Sequence, residues 1–208
     1  MESNLTWVEI ISVSKDIVLT LAALVTISIA VYGVKSWSRE LRGKAYFEVA
    51  RGLIRATYKL RDELGYSRSP WTSASEFPKD YSPMPKDRTP EKEAEAWAYV
   101  FNNRCRPVAE ALLEFEAQVL EAEAIWGSDI KLKTNELRQC ARSLRVAMEA
   151  MVANEANGRE DFKSDKGFGK EIKSDVWAMK EDTNRLSQRI KNAVVGIEES
   201  VRPFIKRN

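Results

Sequence analysis

The sequence contains no histidine, and this absence excludes several kinds of catalytic site. Without an imidazole, neither a Ser–His nor a Cys–His nucleophile pair forms. The H-E-x-x-H zinc motif and the Glu-x-x-His ligands of di-iron helical bundles are excluded for the same reason. The two cysteines are too few to complete a four-ligand zinc site. We therefore expect a non-enzymatic protein with no catalytic, cofactor-binding or metal-binding residues.

Cysteine is scarce and the net charge is small. Cys105 and Cys140 fall on apolar helical stripes, so we interpret both as free thiols of a core in a reducing compartment. The chain has 33 basic and 31 acidic residues, which leaves a net charge of +2. This balance does not favour binding to nucleic acid, so no nucleic-acid partner is expected.

A long apolar run occurs near the N-terminus. Residues 17–34 contain no charged side chain, and 18 residues at about 1.5 Å rise nearly cross a hydrocarbon core of roughly 30 Å. Trp7 precedes the run, and Tyr32 and Trp37 stand at its far end, where aromatic rings favour the headgroup level. The run predicts a single transmembrane helix, and the membrane is the expected partner.

Two other interpretations of the run remain. A signal peptide is disfavoured because Glu2, Glu9 and Asp16 precede the run where basic residues are expected, and no small-residue cleavage site follows it. A buried core helix is the second alternative, since 18 residues is short for a span.

The flanking charges predict the orientation of the span. The residues that follow it are mainly basic, and Lys and Arg are retained on the cytoplasmic side. We expect residues 1–16 outside a bacterial-type inner membrane and residues 35–208 in the cytoplasm. The basic residues are Lys35, Arg39, Arg42, Lys44, Arg51 and Arg55.

Small residues share one face of the apolar run. Ala22, Thr26, Ala30 and Gly33 follow one another at intervals of four, four and three residues. Small side chains let membrane helices approach closely, so this face predicts a homo-oligomer. The alternative is that small residues are simply common in such helices.

Four long helices are predicted from the 3.6-residue periodicity. The first continues from the span to Gly65. The second begins at Thr89 and Pro90 and ends at Trp126; Gly127 and Ser128 then act as a stop and a new cap. The third covers 129–156, and the fourth covers about 176–205. The second helix has an unbroken heptad stripe: Ala94, Ala98, Phe101, Cys105, Val108, Leu112, Phe115, Val119, Ala122 and Trp126.

These patterns predict an all-α protein, in which the transmembrane helix continues into a cytoplasmic antiparallel four-helix bundle. Two segments interrupt the helices. Residues 65–89 are rich in proline and serine but also carry aromatic residues, which favours an irregular strap over a loose loop. Residues 157–175 are interpreted as a polar linker. Within that linker, residues 167–170 (Gly-Phe-Gly-Lys) lack the spacing of a phosphate-binding loop.

Polar residues surround a proline inside the second helix. Pro107 frees a backbone carbonyl, and it should kink the helix. Such a kink can line a small polar site, although a kink that only fits the bundle is the simpler interpretation. The candidate residues are Asn102, Asn103, Arg104, Arg106 and Pro107.

The expected function is assembly into a homo-oligomer or docking of a protein partner. An alternative is an oligomeric membrane-disrupting or pore-forming effector of a bacterial antiviral system, by analogy of layout alone. An unrecognised enzyme is a third class, disfavoured by the missing histidine.

Overall fold

The structure is a computed structural model that describes residues 7–81, 89–179 and 183–205, with only the backbone of Val8. Its α-helices are α1 (Trp7–Ser67), α2 (Pro90–Trp126), α3 (Asp129–Ala156), α4 (Glu160–Ser164), α5 (Lys166–Val176) and α6 (Arg185–Ile205), and a 3₁₀ helix covers Ala74–Glu76. No strand occurs in these ranges. The all-helical class predicted from the sequence is confirmed.

The contacts between Cα atoms divide the chain into two units, residues 1–46 and 47–208. In the first unit, the described residues are helical, and an 18-residue window has a mean hydropathy of 2.4 with none of it buried. By length and composition, the described residues contain one helix that could cross a membrane, and it is α1. The large apolar side chains of this window are exposed, whereas those of a core helix are buried.

The second unit contains one hydrophobic core that draws on all of its helices. The α1 residues of this unit contribute apolar side chains at intervals of three and four, and α3 contacts α2, α5 and α6. Phe115 of α2 is fully buried, as its central position on the heptad predicts. The largest fully buried apolar side chains are Leu53, Leu60, Leu64, Phe115, Leu137, Leu144, Met148, Leu186 and Ile197.

The ends of α2 and α3 agree with the sequence in all but one detail. Thr89 Oγ1 accepts a hydrogen bond from the Lys92 backbone N–H at 3.4 Å, and Pro90 is the first helical residue. Gly127 ends α2 with φ = +82°, a conformation that glycine adopts without steric cost. Ser128 is the N-cap residue of α3, as predicted, but its backbone is helical and its side chain makes no capping hydrogen bond.

The segment 157–175, expected to be a polar linker, instead forms α4 and α5. Asp165 Oδ1 caps α5 by accepting from the Phe168 backbone N–H at 2.8 Å. Gly169 lies inside α5 and against Phe162, although glycine has a low helix propensity. Gly167 and Gly169 therefore do not interrupt α5.

The final helix begins at Arg185, not near residue 176. Trp177 has extended backbone angles, and Met179, inside the predicted range of that helix, is 62% exposed. Asn184 Oδ1 accepts from the Ser187 backbone N–H at 3.0 Å and so caps α6. Residues 180–182 lie outside the described residues, as do residues 82–88 of the predicted strap.

Candidate functional site

The four residues of the small-residue face of α1 are exposed. A Cβ placed on Gly33 would meet no atom within 4 Å, and Thr26 is exposed. The Thr26 hydroxyl donates to the Ala22 carbonyl at 2.8 Å, so its hydrogen bond is made within the helix. Ala22 and Ala30 are exposed as well, so all four residues of the predicted face lie on the surface of α1.

The five residues around the proline do not come together in one site. The helix α2 runs without a break through the exposed Pro107. Arg106 Nη2 donates to Asn103 Oδ1 at 3.1 Å on the surface. Asn102 and Arg106 line a groove between α2 and α3, whereas Arg104 binds the segment that follows α1.

Arg104 holds the described part of the strap on α2. Its Nε lies 2.6 Å from Glu76 Oε2, and its Nη1 and Nη2 donate to the carbonyls of Ser69 and Trp71, each at 2.7 Å. This ion pair lowers the pKa of the Glu76 carboxyl, and the backbone N–H of Ser73 also donates to Glu76. The guanidinium satisfies most of its donors on one segment, so Arg104 acts as a structural clamp.

An aromatic cluster lies beside this clamp. Phe77 stacks on Tyr81 with ring centroids 4.5 Å apart, and it contacts Trp97 edge-on at 5.3 Å. Trp177 packs against Phe101 at 5.8 Å and lies 5.6 Å from the Arg104 guanidinium. Phe77 and Tyr81 of the strap are therefore packed beside Trp97 of α2, whereas Trp71 of the same segment is 84% exposed.

The α2–α3 groove, a cavity of about 500 Å³, is the main candidate for a docking site. Its floor includes Phe101, Leu112 and Leu144, and both helices bring charged side chains to its rim. The rim has four basic and two acidic residues, so its charge is positive and favours an acidic group. The charged residues are Arg106, Arg138, Arg142, Arg145, Glu116 and Glu149.

Two arginines of the groove are neutralised by glutamates. Arg138 Nε lies 3.1 Å from Glu116 Oε1, at ion-pair distance but without hydrogen-bond geometry. Arg145 Nε lies 3.0 Å from Glu149 Oε1. In the described ranges Arg142 has no acidic partner, which leaves it available to a bound molecule.

The thiols do not have the character of nucleophiles. Burial raises the pKa of Cys105, whose Sγ lies 3.2 Å from Met148 Sδ, and it raises the pKa of Cys140 to about 11. A thiol with a raised pKa has little reactive thiolate near neutral pH. Within the described ranges, no group of three or more acidic, cysteine or histidine side chains is placed to hold a metal ion.

Arg68 is a buried residue that the sequence analysis did not identify. It is 2% exposed, and its Nε donates to the Asp175 carbonyl at 2.8 Å. Its Nη2 donates to Asn184 Oδ1 at 2.7 Å, and its Nη1 to Ser187 Oγ at 3.0 Å. These partners lie more than 100 residues away, so no local pattern could identify them.

No family model matches the chain, and neither does any curated protein or any solved structure.

Proposed function

We propose that the protein is a non-enzymatic, single-pass membrane protein, and that it acts by homo-oligomeric assembly or by docking a partner. The exposure of the apolar run is the observation that supports this proposal. Eleven large apolar or aromatic side chains from Ile17 to Val34 are 55–77% exposed. Covering each of them with lipid is worth roughly 1.5–3 kcal/mol, and a chain dissolved in water would forgo this stabilisation.

The proposed topology places residues 1–16 outside a bacterial-type inner membrane and residues 35–208 in the cytoplasm. Its support is the basic sequence after Val34, since Lys and Arg are retained on the cytoplasmic side. The spanning segment contains no charged residue, so an ion or proton relay within it is not part of the proposal.

An antiparallel four-helix bundle is the proposed arrangement of α2, α3, α6 and the α1 residues of the second unit. Polar contacts link neighbouring helices in a closed cycle, from α1 to α2, α2 to α3, α3 to α6 and α6 to α1. This cycle is what four helices around one core require. The four contacts are Lys59–Glu114 at 2.6 Å, Arg138–Glu116 at 3.1 Å, Arg189–Glu136 at 2.8 Å and Tyr58–Glu198 at 2.8 Å.

The two modes of action use different surfaces. Assembly would use the small-residue face of Ala22, Thr26, Ala30 and Gly33. Docking would use the α2–α3 groove, where Arg106 and Arg142 would meet an acidic side chain of the partner. A pore-forming effector is the second candidate, since the same small-residue face would line the contacts between spanning helices.

Topology is tested by a reporter that fluoresces only in the cytoplasm, fused after Asn208. We expect a bright fusion, and an inactive periplasmic reporter at the same position. A dark fluorescent fusion together with an active periplasmic reporter would reverse the proposed orientation.

Assembly and pore formation are separated by two measurements on the full chain. Its mass in a mild detergent reports the oligomer, and dye entry into cells that overproduce it reports membrane disruption. An oligomer without dye entry supports assembly or docking, whereas dye entry that is lost on enlarging Thr26 supports the pore-forming alternative.

A further inference from the structure

A cavity of about 480 Å³ lies on the outer side of α5, away from the α2–α3 groove. Lys166, Lys170 and Lys173 line it, at intervals of four and three residues that place them on one face of the helix. Phe162, Trp177 and Met179 supply apolar surface. Its volume is in the range of small-molecule sites in proteins, about 300–1,000 Å³.

The three lysines have no acidic partner among the described residues. The carboxylates of α5 are directed elsewhere: Glu171 and Asp175 both pair with Arg185 of α6. No described acidic side chain lines the cavity. Among the described residues, three exposed lysines therefore border one volume that no carboxylate lines, and this local excess of positive charge favours an anion there.

The apolar wall of the cavity is held in place by packing. A Cβ on Gly169 would lie 2.8 Å from Phe162 Cβ, so the absence of a side chain lets α5 lie directly on α4. The Trp177 ring packs against Trp97, with ring centroids 6.0 Å apart, and against Phe101. The Lys173 ammonium lies 5.7 Å from the Phe162 ring centroid, so basic and aromatic groups are adjacent.

The ligand would contact the lysine face and not the N-terminus of α5. Asp165 already occupies that terminus, because its carboxylate accepts from the Phe168 backbone N–H at 2.8 Å. A second anion there would be repelled by this carboxylate. Lysine ammonium groups along the helix bind phosphate oxygens as point charges.

We propose that this cavity binds a phosphate ester that carries an apolar or aromatic group, with the phosphate on Lys166, Lys170 and Lys173 and the apolar group on Phe162 and Trp177. The phosphate could come from a soluble nucleotide or from an anionic phospholipid, and both present the same chemistry to the lysines. The site is independent of the assembly and docking surfaces proposed above.

The test uses the full chain in a neutral detergent. Calorimetric titration with AMP measures the soluble source, and native mass spectrometry with phosphatidylglycerol against phosphatidylcholine measures the lipid source. The variant Lys166→Gln/Lys170→Gln/Lys173→Gln should weaken binding of AMP or phosphatidylglycerol at least tenfold, because the loss of charged contacts to the phosphate removes most of the recognition. Circular dichroism checks that the variant keeps its helices.

A matched control removes three charges elsewhere. Lys92→Gln/Lys133→Gln/Lys163→Gln changes the net charge equally at exposed positions outside the cavity, and it should bind as the parent does. AMP should also bind at least tenfold more tightly than inorganic phosphate if the aromatic wall is used. Absence of binding to both probes, equal losses in the two triple variants, or equal affinity for inorganic phosphate would overturn the proposal.

Discussion

Arg68 brings a full positive charge into a site that is only 2% exposed, and it joins three parts of the chain there. Its guanidinium bonds to the end of α5 and to the start of α6, and its own carbonyl accepts from the Ala178 backbone N–H at 2.9 Å. A buried polar group without a partner costs about 1–3 kcal/mol, so loss of the guanidinium would leave several costly acceptors behind.

Replacement of Arg68 by Met should therefore reduce the free energy of unfolding by at least about 3 kcal/mol. Urea unfolding of the full chain in a mild detergent, followed by tryptophan fluorescence, measures this change. Arg145→Met is the matched control, because the Arg145 side chain is 76% exposed and its one ion pair within the described part of the chain is with Glu149 on its own helix. The control should cost no more than about 0.5 kcal/mol, and equal losses would contradict the clamp at Arg68.

Glu76 makes the stability of the strap depend on pH. Its hydrogen bond from Arg104 lowers the folded-state pKa below the ordinary value of 4.5. The stabilisation of the folded protein by the Glu76–Arg104 ion pair is therefore fully present above pH 4.5, and it is lost as the pH falls through the lower pKa of Glu76 in the folded state. Glu76→Gln should cost about 1.5 kcal/mol at pH 7 and progressively less below about pH 4.5. Unfolding of both proteins as a function of pH tests this, and a pH-independent difference would refute it.

At the scale of helices, replacement of Gly169 and of Gly196 by alanine should change stability in opposite directions. A methyl group at Gly169 of α5 would lie 2.8 Å from Phe162 Cβ and 3.3 Å from its Cα, so backbone must move. A methyl group at Gly196 of α6 would meet no atom within 4 Å. Gly169→Ala should lower stability by about 1–3 kcal/mol, whereas Gly196→Ala should raise it by about 0.5–1 kcal/mol.

Thermal unfolding of the two variants under the same conditions is the measurement. A gain in melting temperature for Gly169→Ala would mean that α4 and α5 are not held in close contact. A loss for Gly196→Ala would mean that its position on α6 is not open.

Helix limits were predictable where local signals agree. Pro90 at the first position of α2 and Gly127 after its last position determine the ends of the helix through the local backbone alone. The heptad stripe between them predicted which face of α2 is buried. The α4–α5 region was not predictable in this way. Gly169 weakens an isolated helix, and its close approach to Phe162 is visible only in the folded protein.

The site residues show the same division between local and distant information. The spacing around Pro107 identified polar residues on α2, but it could not separate Arg104 from Arg106. Arg104 pairs with Glu76, which lies 28 residues before it in the sequence. Arg106 shares the α2–α3 groove with Arg142, which lies 36 residues after it. Asn184 is different: an asparagine before an apolar stripe is a local capping signal, so the start of α6 was predictable from the sequence.

At the scale of the whole molecule, the proposed oligomer depends on the apolar part of α1. Thr26→Leu together with Ala30→Leu should weaken the oligomer, because bulk prevents the close approach of backbones at the small-residue face. Insertion should be unaffected, since leucine favours the bilayer. The mass of the full chain in a mild detergent, measured by light scattering, distinguishes the two proteins.

The control for this experiment is Leu21→Ala with Val25→Ala, which reduces bulk at other positions of the same helix and should leave the oligomer intact. If the double leucine variant assembles normally, the contacts between copies are made elsewhere, and the long helical stripes are the next candidate.

The two-residue connection between α2 and α3 has a consequence for the order of folding. Glu116 and Arg138 pair across a 22-residue separation, whereas Tyr58 and Glu198 are 140 residues apart. Closing the longer loop costs roughly 1.5 kcal/mol more chain entropy. We expect the α2–α3 hairpin to be formed in the transition state, while α1 and α6 join later. Val119→Ala should then slow refolding, whereas Leu60→Ala should mainly speed unfolding; stopped-flow kinetics that show the reverse would place the nucleus elsewhere.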